Sequence, residues 1–416
     1  MRVGVIGSGG REHAIAWKLA EDLAPVDIFV IPGNGGTSNN LEVDPADRSA
    51  LVGACREHGI ELLVVGPEDP LAGGIVDDLA GSGVAVFGPN RAAARLESSK
   101  VWAKEFMIRH GVATAPFTVH CGAGSAASRI RDLGGHLVVK YDGLAAGKGV
   151  FVTGSVEEGS AAVATVVERY GPEAPFIIEE RLVGSELSLL AFTDGKDVVL
   201  LPPCQDHKQL NDGDTGPNTG GMGAFCPVPA VDEEMLAVIR RRIIEPTLAG
   251  LAAEGLDYRG VLYFGVMMTA FGPSLLEYNV RMGDPETEAV LPALGSSLLD
   301  LITACLDGRL GRVAPSFHGG CFVDVVLASG GYPGAYRRGL PIGGLDAVDA
   351  DCLVFHGGTV RRGDEILTNG GRVLNVVAGA PDLAAAVAKA YRQTGKISFE
   401  GMCYRSDIGG RRWTLG

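Results

Sequence analysis

The chain has 416 residues, 46% of them hydrophobic and 21% charged, which excludes general disorder and predicts several domains with real cores. Lys and Arg number 36 against 50 Asp and Glu, a formal charge of −14 that argues against a nucleic-acid coat or an anionic-membrane binder. With 61 glycines and no collagen-like period, the composition points to many tight loops beside a ligand. No apolar run approaches the ~20 residues of a spanning helix, and the N-terminus runs into a strand without a signal-peptide layout, so a cytoplasmic location is expected. The eight cysteines are scattered without a Cys-x-x-Cys, which disfavours zinc and disulfide readings.

Apolar runs at 3–6, 28–31, 62–65 and 84–87 each end in glycine or Pro-Gly and read as buried parallel strands, with helices over 11–23 and 47–58 between them. The alternation predicts an open, doubly wound α/β sheet. Its ligand loops lie at the carboxyl ends of the strands, at GSGGRE (7–12), PGNGGT (32–37), GPED (66–69) and GPN (88–90). Ser98-Ser99 precede a helix over 100–110 that Gly111 closes. Strands at 137–140 and from 150 flank DGLAAGKG (142–149), and 176–179 forms another strand. The runs 262–269 and 274–281 form a hairpin around Phe271-Gly272-Pro273. Near 308–317 helix gives way to the short strands and turns of a small mixed α/β unit.

Three segments bear on chemistry. The first loop resembles a dinucleotide fingerprint but places Glu12 where a small residue is needed, and no acid closes the second strand; a phosphate-bearing molecule or a structural turn fits better. DGLAAGKG is not a Walker loop, because three residues rather than four separate glycine from Gly-Lys and Gly149 follows Lys148. It suits a lid folding over a triphosphate, with Lys140 closing the preceding strand, or else an ordinary solvated hairpin. In the E-x-N-x-R run, alternation puts Glu277, Asn279 and Arg281 on one face, with Tyr278 and Val280 on the other. Carboxylate and amide oxygens are hard ligands for Mg²⁺, and the arginine suits a carboxylate or phosphate. No Ser/His/Asp or Cys/His constellation accompanies them, as phosphoryl transfer would allow.

Lys140, the lid loop, 179–186 and the E-x-N-x-R strand, in that order, resemble an ATP-grasp enzyme. GSGGREHA (7–14), PGNGGT (32–37), VGPEDPL (65–71), DGLAAGKGV (142–150), QDHK (205–208), DTGPNTGGMGA (214–224), GDPETE (283–288) and TNGGRVL (368–374) resemble the glycinamide ribonucleotide synthetase family over essentially the whole chain. The resemblance implies an α/β multidomain fold: an N-terminal doubly wound domain (1–99), an ATP-grasp domain (100–312) with a mobile lid at about 117–185, and a C-terminal α/β domain (313–416). It implies ligation of glycine to 5-phosphoribosylamine through glycyl phosphate, with ATP as co-substrate and Mg²⁺ or Mn²⁺ as metal. It also implies a monomer meeting at most transiently the amidotransferase that makes the amine, without nucleic-acid or membrane partners. Another carboxylate–amine ligase or carboxylase of the same superfamily is the alternative.

Carried onto this sequence, the resemblance makes Glu277 and Asn279 metal ligands and Arg281, Lys148 and Asp214 catalytic. Lys100, Lys140, Gly143, Gly147, Lys148, Gly149, Glu179, Glu180, Leu182 and Glu186 become ATP contacts. Gly9, Gly10, Arg11, Glu12, Asn34, Glu68, Asp206, Lys208, Asn218, Thr219 and Met222 become substrate contacts. Tyr141, Ser185 and Met282 depart from the family's usual Ala, Glu and Phe, and Gly265 stands where related enzymes supply a further acid.

Overall fold

Strand β1 (Arg2–Gly7) is buried from Val3 onward, as a strand covered by helices on both faces must be. It pairs in parallel with β2 (Asp27–Pro32) and β3 (Leu62–Val65), and β4 (Ala85–Phe87) completes the order β2-β1-β3-β4. All four strands stand where the apolar runs place them. This is a computed structural model, and it describes residues 1–22, 25–145, 148–410 and 413–415. Helices α1 (Gly10–Ala20), α2 (Arg48–His58), α3 (Glu68–Ala72), α4 (Ile75–Asp78), α5 (Arg91–Ser98) and α6 (Lys100–Arg109) follow in turn. The first of them starts one residue before the expected 11 and ends at Ala20; Leu23 lies outside the described residues. Asp47, Asn90 and Ser99 accept N-terminal N–H groups of α2, α5 and α6, each from three residues on. Ser98 ends α5, a helix that the sequence reading did not place.

The next unit is an antiparallel sheet of β5 (Phe117–Cys121), β6 (Leu137–Tyr141), β7 (Val150–Val152) and β8 (Pro175–Glu180), in the order β5-β8-β6-β7. Helices α7 (Ala127–Asp132) and α8 (Val156–Tyr170) cover it, and Leu137, Val139, Val163, Val166 and Phe176 form a core separate from the rest of the chain. Tyr141 and Tyr170 stack with ring centroids 3.7 Å apart.

The body then adds β9 (Ser185–Thr193), β10 (Val198–Leu200), β11 (Gln205–Asp206), β12 (Gln209–Asn211), β13 (Thr215–Asn218), β14 (Gly223–Cys226), α9 (Glu233–Ile239), α10 (Glu245–Ala253), β15 (Gly260–Thr269) and β16 (Gly272–Asn279). A sheet in the order β10-β9-β15-β16 faces the lid sheet's root. Helices α11 (Glu286–Ala293) and α12 (Leu298–Leu306) lead to β17 (Cys321–Ala328), β18 (Cys352–His356), β19 (Thr359–Arg362), β20 (Glu365–Thr368), β21 (Arg372–Ala380) and α13 (Leu383–Thr394). Strands β11 and β14 join the C-terminal sheet, ordered β11-β14-β17-β21-β18, so the expected division at 312 cuts through one sheet. Among the described residues no helix is long and apolar enough to cross a membrane.

The N- and C-terminal units meet at two histidines. The His356 N–H donates to His13 Nδ1 at 2.9 Å, and the rings lie 5.6 Å apart. Burial pushes both imidazoles down, His13 to about 3 with help from His356, and His356 to about 4 with help from Arg361. Both stay neutral when folded, whereas the unfolded chain takes up protons near the ordinary value of 6.5. Stability is therefore full above about 6.5 and falls as the pH drops toward about 4. The melting temperature of His13→Gln is expected to fall less over that window than that of the wild type.

Candidate active site

Strand β16 carries Glu277 and Asn279, with Gly265 of β15 directly opposite Glu277 and a bulge immediately after it. Gly265 adds no acid there, as the sequence reading anticipated. Beyond the strand, the half-buried Arg281 is held on several sides. Its Nε pairs with Glu68 Oε2 at 3.2 Å, and its Nη2 pairs with Glu97 Oε1 at 3.0 Å and donates to Asn279 Oδ1 at 3.3 Å. Glu97 Oε2 accepts the Val280 N–H at 2.7 Å. Burial works to raise the Glu68 carboxyl, but Arg281 and Arg11 hold it down to about 2. Thus α3 at the end of β3, α5, and the chain leaving β16 converge on one cation. Sequence reasoning missed Glu97, whose signal is a lone charge on the apolar face of a helix that it did not delimit.

At the lid root, Glu179 is 1% exposed and pairs with Lys104 at 3.0 Å and Lys140 at 3.1 Å. Lys140 Nζ also donates to the Leu276 carbonyl at 2.9 Å. Burial lowers the Lys104 ammonium to about 8, against the pull of Glu179 and with the push of Lys140. The carboxylate of Glu179, expected beside adenine, is thus turned inward as counter-ion to two lysines. Glu180 pairs with Arg129 at 3.3 Å, and Leu182 follows on the half-buried hinge. A Cβ at Gly184 would fall 2.0 Å from the Met268 carbonyl oxygen, so the hinge is pressed onto β15. Beyond it Glu186 meets Lys208 at 2.7 Å. Ser185, the departure from the family's usual Glu, accepts the Thr414 N–H at 2.8 Å.

The lid loop is tied back at its start. Lys100 Nζ donates to the Gly143 carbonyl at 3.0 Å, and the Asp142 carboxylate accepts the Val101 N–H at 3.1 Å. A Cβ on Gly143 would sit 2.6 Å from the Tyr141 ring. Lys148 is exposed and Gly149 buried; Gly147 lies outside the described residues.

In the N-terminal loops, Glu12 Oε2 accepts the Gly9 N–H at 2.6 Å and its Oε1 takes Arg11 Nε at 2.6 Å. A Cβ at Gly7 or Gly66 would run into this Glu12 side chain. The start of α1 is therefore capped by a carboxylate of its own, which explains why the dinucleotide pattern fails here. Arg11 also donates to the Met282 carbonyl at 3.0 Å. Asn34 spends its amide on backbone, donating to the His356 carbonyl at 2.6 Å and accepting the Gly36 N–H at 2.8 Å. Gly10 leaves room for Glu288, whose Oε1 would lie 2.5 Å from a Cβ there.

In the loop from 205 to 224, Asp206 and Lys208 stand together at the nucleotide side, 3.8 Å apart. Asp214, expected to be catalytic, pairs instead with the buried Arg405 at 2.9 Å, and its φ of +53° marks an anchored turn. Thr219 Oγ1 donates to the Lys208 carbonyl at 2.8 Å, Met222 is fully buried, and Asn218 pairs across β12–β13 with Gln209. These residues shape the loop. Arg372, in a motif singled out but not itself named, pairs with Asp284 at 3.0 Å and donates to the Gly220 carbonyl at 2.8 Å.

Glu277 and Asn279 offer two hard oxygens on one strand face, a set that fits a divalent cation sharing phosphate oxygens and water. A hinged four-stranded lid over such a strand defines the ATP-grasp class of fold. Residues 1–97, 98–287 and 322–411 match the N, ATP-grasp (A) and C domains of phosphoribosylglycinamide synthetase. The chain belongs to the phosphoribosylglycinamide synthetase family. It is 45% identical to a phosphoribosylamine–glycine ligase of Synechocystis, over 98% of this chain and 99% of that protein. It is 47% identical over 99% of its length to the trifunctional purine biosynthetic protein adenosine-3 of Gallus gallus, but spans only 42% of that protein. Among solved structures, a phosphoribosylamine–glycine ligase from Thermotoga maritima aligns with TM-score 0.85 and 37% identity, covering 98% of this chain and 100% of that one. The biotin carboxylase domain of a Hydrogenobacter thermophilus 2-oxoglutarate carboxylase shares the fold, with TM-score 0.71 and 16% identity over 100% of this chain and 96% of that one.

Two substitutions test the geometry. Glu277→Ala is expected to lower turnover by about 10²-fold or more with an unchanged melting temperature, and near-normal turnover at limiting Mg²⁺ would remove Glu277 from the metal site. Glu179→Gln leaves two buried cations unpaired and should destabilise the fold by about 3–5 kcal/mol, whereas Lys104→Met, which leaves a neutral pair, should stay within about 1.5 kcal/mol in a denaturant titration.

Proposed function

We propose that the chain is a ligase that joins glycine to 5-phosphoribosylamine, with ATP converted to ADP and phosphate, as a cytoplasmic monomer of purine synthesis. The observation that carries this reading is the metal strand, where Glu277, Asn279 and an anchored Arg281 face one cleft, in a chain matched end to end by proteins named for that reaction. A bound Mg²⁺ or Mn²⁺ would supply charge neutralisation between phosphate oxygens. Lys100, Lys140 and the lid loop with Lys148 hold the triphosphate, and Glu186 with the hinge at 180–182 holds the nucleoside. Arg281 steadies the carboxylate that receives the γ-phosphoryl group. Amine nitrogen then attacks the carbonyl carbon of the glycyl phosphate, and phosphate leaves with the bonding pair. Lid closure keeps water from that acyl phosphate. The loops at 9–12, 34 and 68 hold the phosphoribosylamine.

The test is ADP release with ATP, Mg²⁺ and glycine, with and without phosphoribosylamine formed in place from ribose 5-phosphate and ammonia. Release that needs both substrates, with glycinamide ribonucleotide found by mass, is the expected result. Release driven by a different carboxylate would keep the mechanism and replace the substrate.

A further inference from the structure

Helix α11 carries Glu288 into the seam where it packs on α1, β14, β17 and β21. Glu288 is 0% exposed, and neither of its carboxyl oxygens finds a hydrogen-bond donor among the described residues. Asp324 of β17 is equally buried; its Oδ2 accepts from the Asn375 amide at 2.7 Å, and its Oδ1 finds no donor among the described residues. A Cβ on Gly10 would fall 2.5 Å from Glu288 Oε1 and 2.8 Å from Asn375 Oδ1, so acceptors crowd the start of α1. A buried carboxylate oxygen with no donor is costly to the fold, and the cost is relieved when the group is neutral and supplies a donor itself.

The charged groups around the seam already have partners. Arg372 of β21 pairs with Asp284 at 3.0 Å and donates to the Gly220 and Asp284 carbonyls. On α1, Arg11 and Glu12 close on each other, Lys18 pairs with Glu21, and His13 accepts the His356 N–H. Glu286 of α11 accepts from the Ser188 and Tyr263 hydroxyls, and the Cys226 thiol of β14 donates to the Ala289 carbonyl. Burial first, then Asp284 and Asp324, pushes the Glu288 carboxyl well above the ordinary carboxylate range, against the pull of Arg372. Burial, Asp284 and Asp206 push Asp324 the same way, but Asn375 and Arg372 oppose them. Two neighbouring acids in a dry seam do not both ionise, and the one without a donor is the one to keep a proton.

We infer that Glu288 and Asp324 hold one proton between them in the folded protein, resident on Glu288, and so form a pH-sensitive latch between α11 and the C-terminal sheet. As an acid, Glu288 brings its own donor to this acceptor-rich seam, while Asp324 stays the carboxylate that Asn375 serves. The unfolded chain loses that proton near the ordinary glutamate value of about 4.3. The latch therefore stabilises fully below about 4 and gives way as the pH rises toward the folded pair's higher value. Its sense is opposite to that of the His13–His356 contact, which weakens on acidification.

Glu288→Gln keeps the shape and is neutral at every pH. In urea titrations, the folding constant of the wild type relative to Glu288→Gln is expected to fall about tenfold for each pH unit between about 5.5 and 7, the signature of one proton. A ratio that stays constant over that range would overturn the inference. Made in an Asp324→Asn background, the same change should give a decline that ends at a lower pH, because the charge that keeps the proton is gone. Identical profiles in the two backgrounds would remove Asp324 from the pair. Infrared difference spectra at pH 7 read the proton directly. The carbonyl stretch of a protonated carboxylic acid is expected in the wild type and lost in Glu288→Gln. A band absent from the wild type, or unchanged in the variant, would overturn the assignment to Glu288. If Glu288→Gln does not fold, Glu288→Met gives the same comparison.

Discussion

The cleft depends on one guanidinium. Arg281 belongs to the body of the nucleotide-binding unit, yet Glu68 reaches it from the N-terminal sheet and Glu97 from the helix joining the two units. The two acids share one guanidinium, so losing either still leaves Arg281 paired with the other, whereas losing the arginine would leave both partly buried carboxylates without their shared cation, at about 3–5 kcal/mol. The same contact orients Asn279, whose amide oxygen accepts from that guanidinium at 3.3 Å. Asn279, Arg281 and the junction with the N-terminal unit are thus fixed by one set of hydrogen bonds and ion pairs.

A second pattern is the use of acids in unequal company. Glu179 pairs with Lys104 and Lys140, Glu186 meets Lys208 at 2.7 Å, and Asp206 stands 3.8 Å from the same lysine. The gradient runs from the lid root to the seam with the C-terminal sheet, where the buried Asp206 Oδ1 finds no donor among the described residues. The formal charge of −14 describes the whole chain, but these acids sit in graded company.

Much of this was legible beforehand. Four parallel strands, the 262–281 hairpin and the shared face of Glu277, Asn279 and Arg281 follow from periodicity and turn residues, which act over a few positions. What escaped was set by contacts distant in sequence. Asn34, Thr219 and Met222 sit in recognisable motifs, and the bonds to backbone by which they also shape their loops show in no local pattern. The pairing of Asp214 with Arg405, 191 residues further on, is likewise out of reach of any local pattern. The pairing of β14 with β17 across position 312 was hidden for the same reason, because a composition change marks where the chain alters character and not which strands share a sheet.

That shared sheet has a consequence for the order in which the molecule is made. Gly223 of β14 finds its partner in Val325 of β17, so the strand waits for about a hundred residues of later chain. At translation rates of about 5–20 residues per second, this leaves the glycine-rich segment without its ladder for roughly 5–20 s on the ribosome. The N-terminal sheet and the lid, whose contacts are local, face no such delay. Vectorial synthesis therefore completes the N-terminal sheet and the lid before the sheet that the central and C-terminal units share.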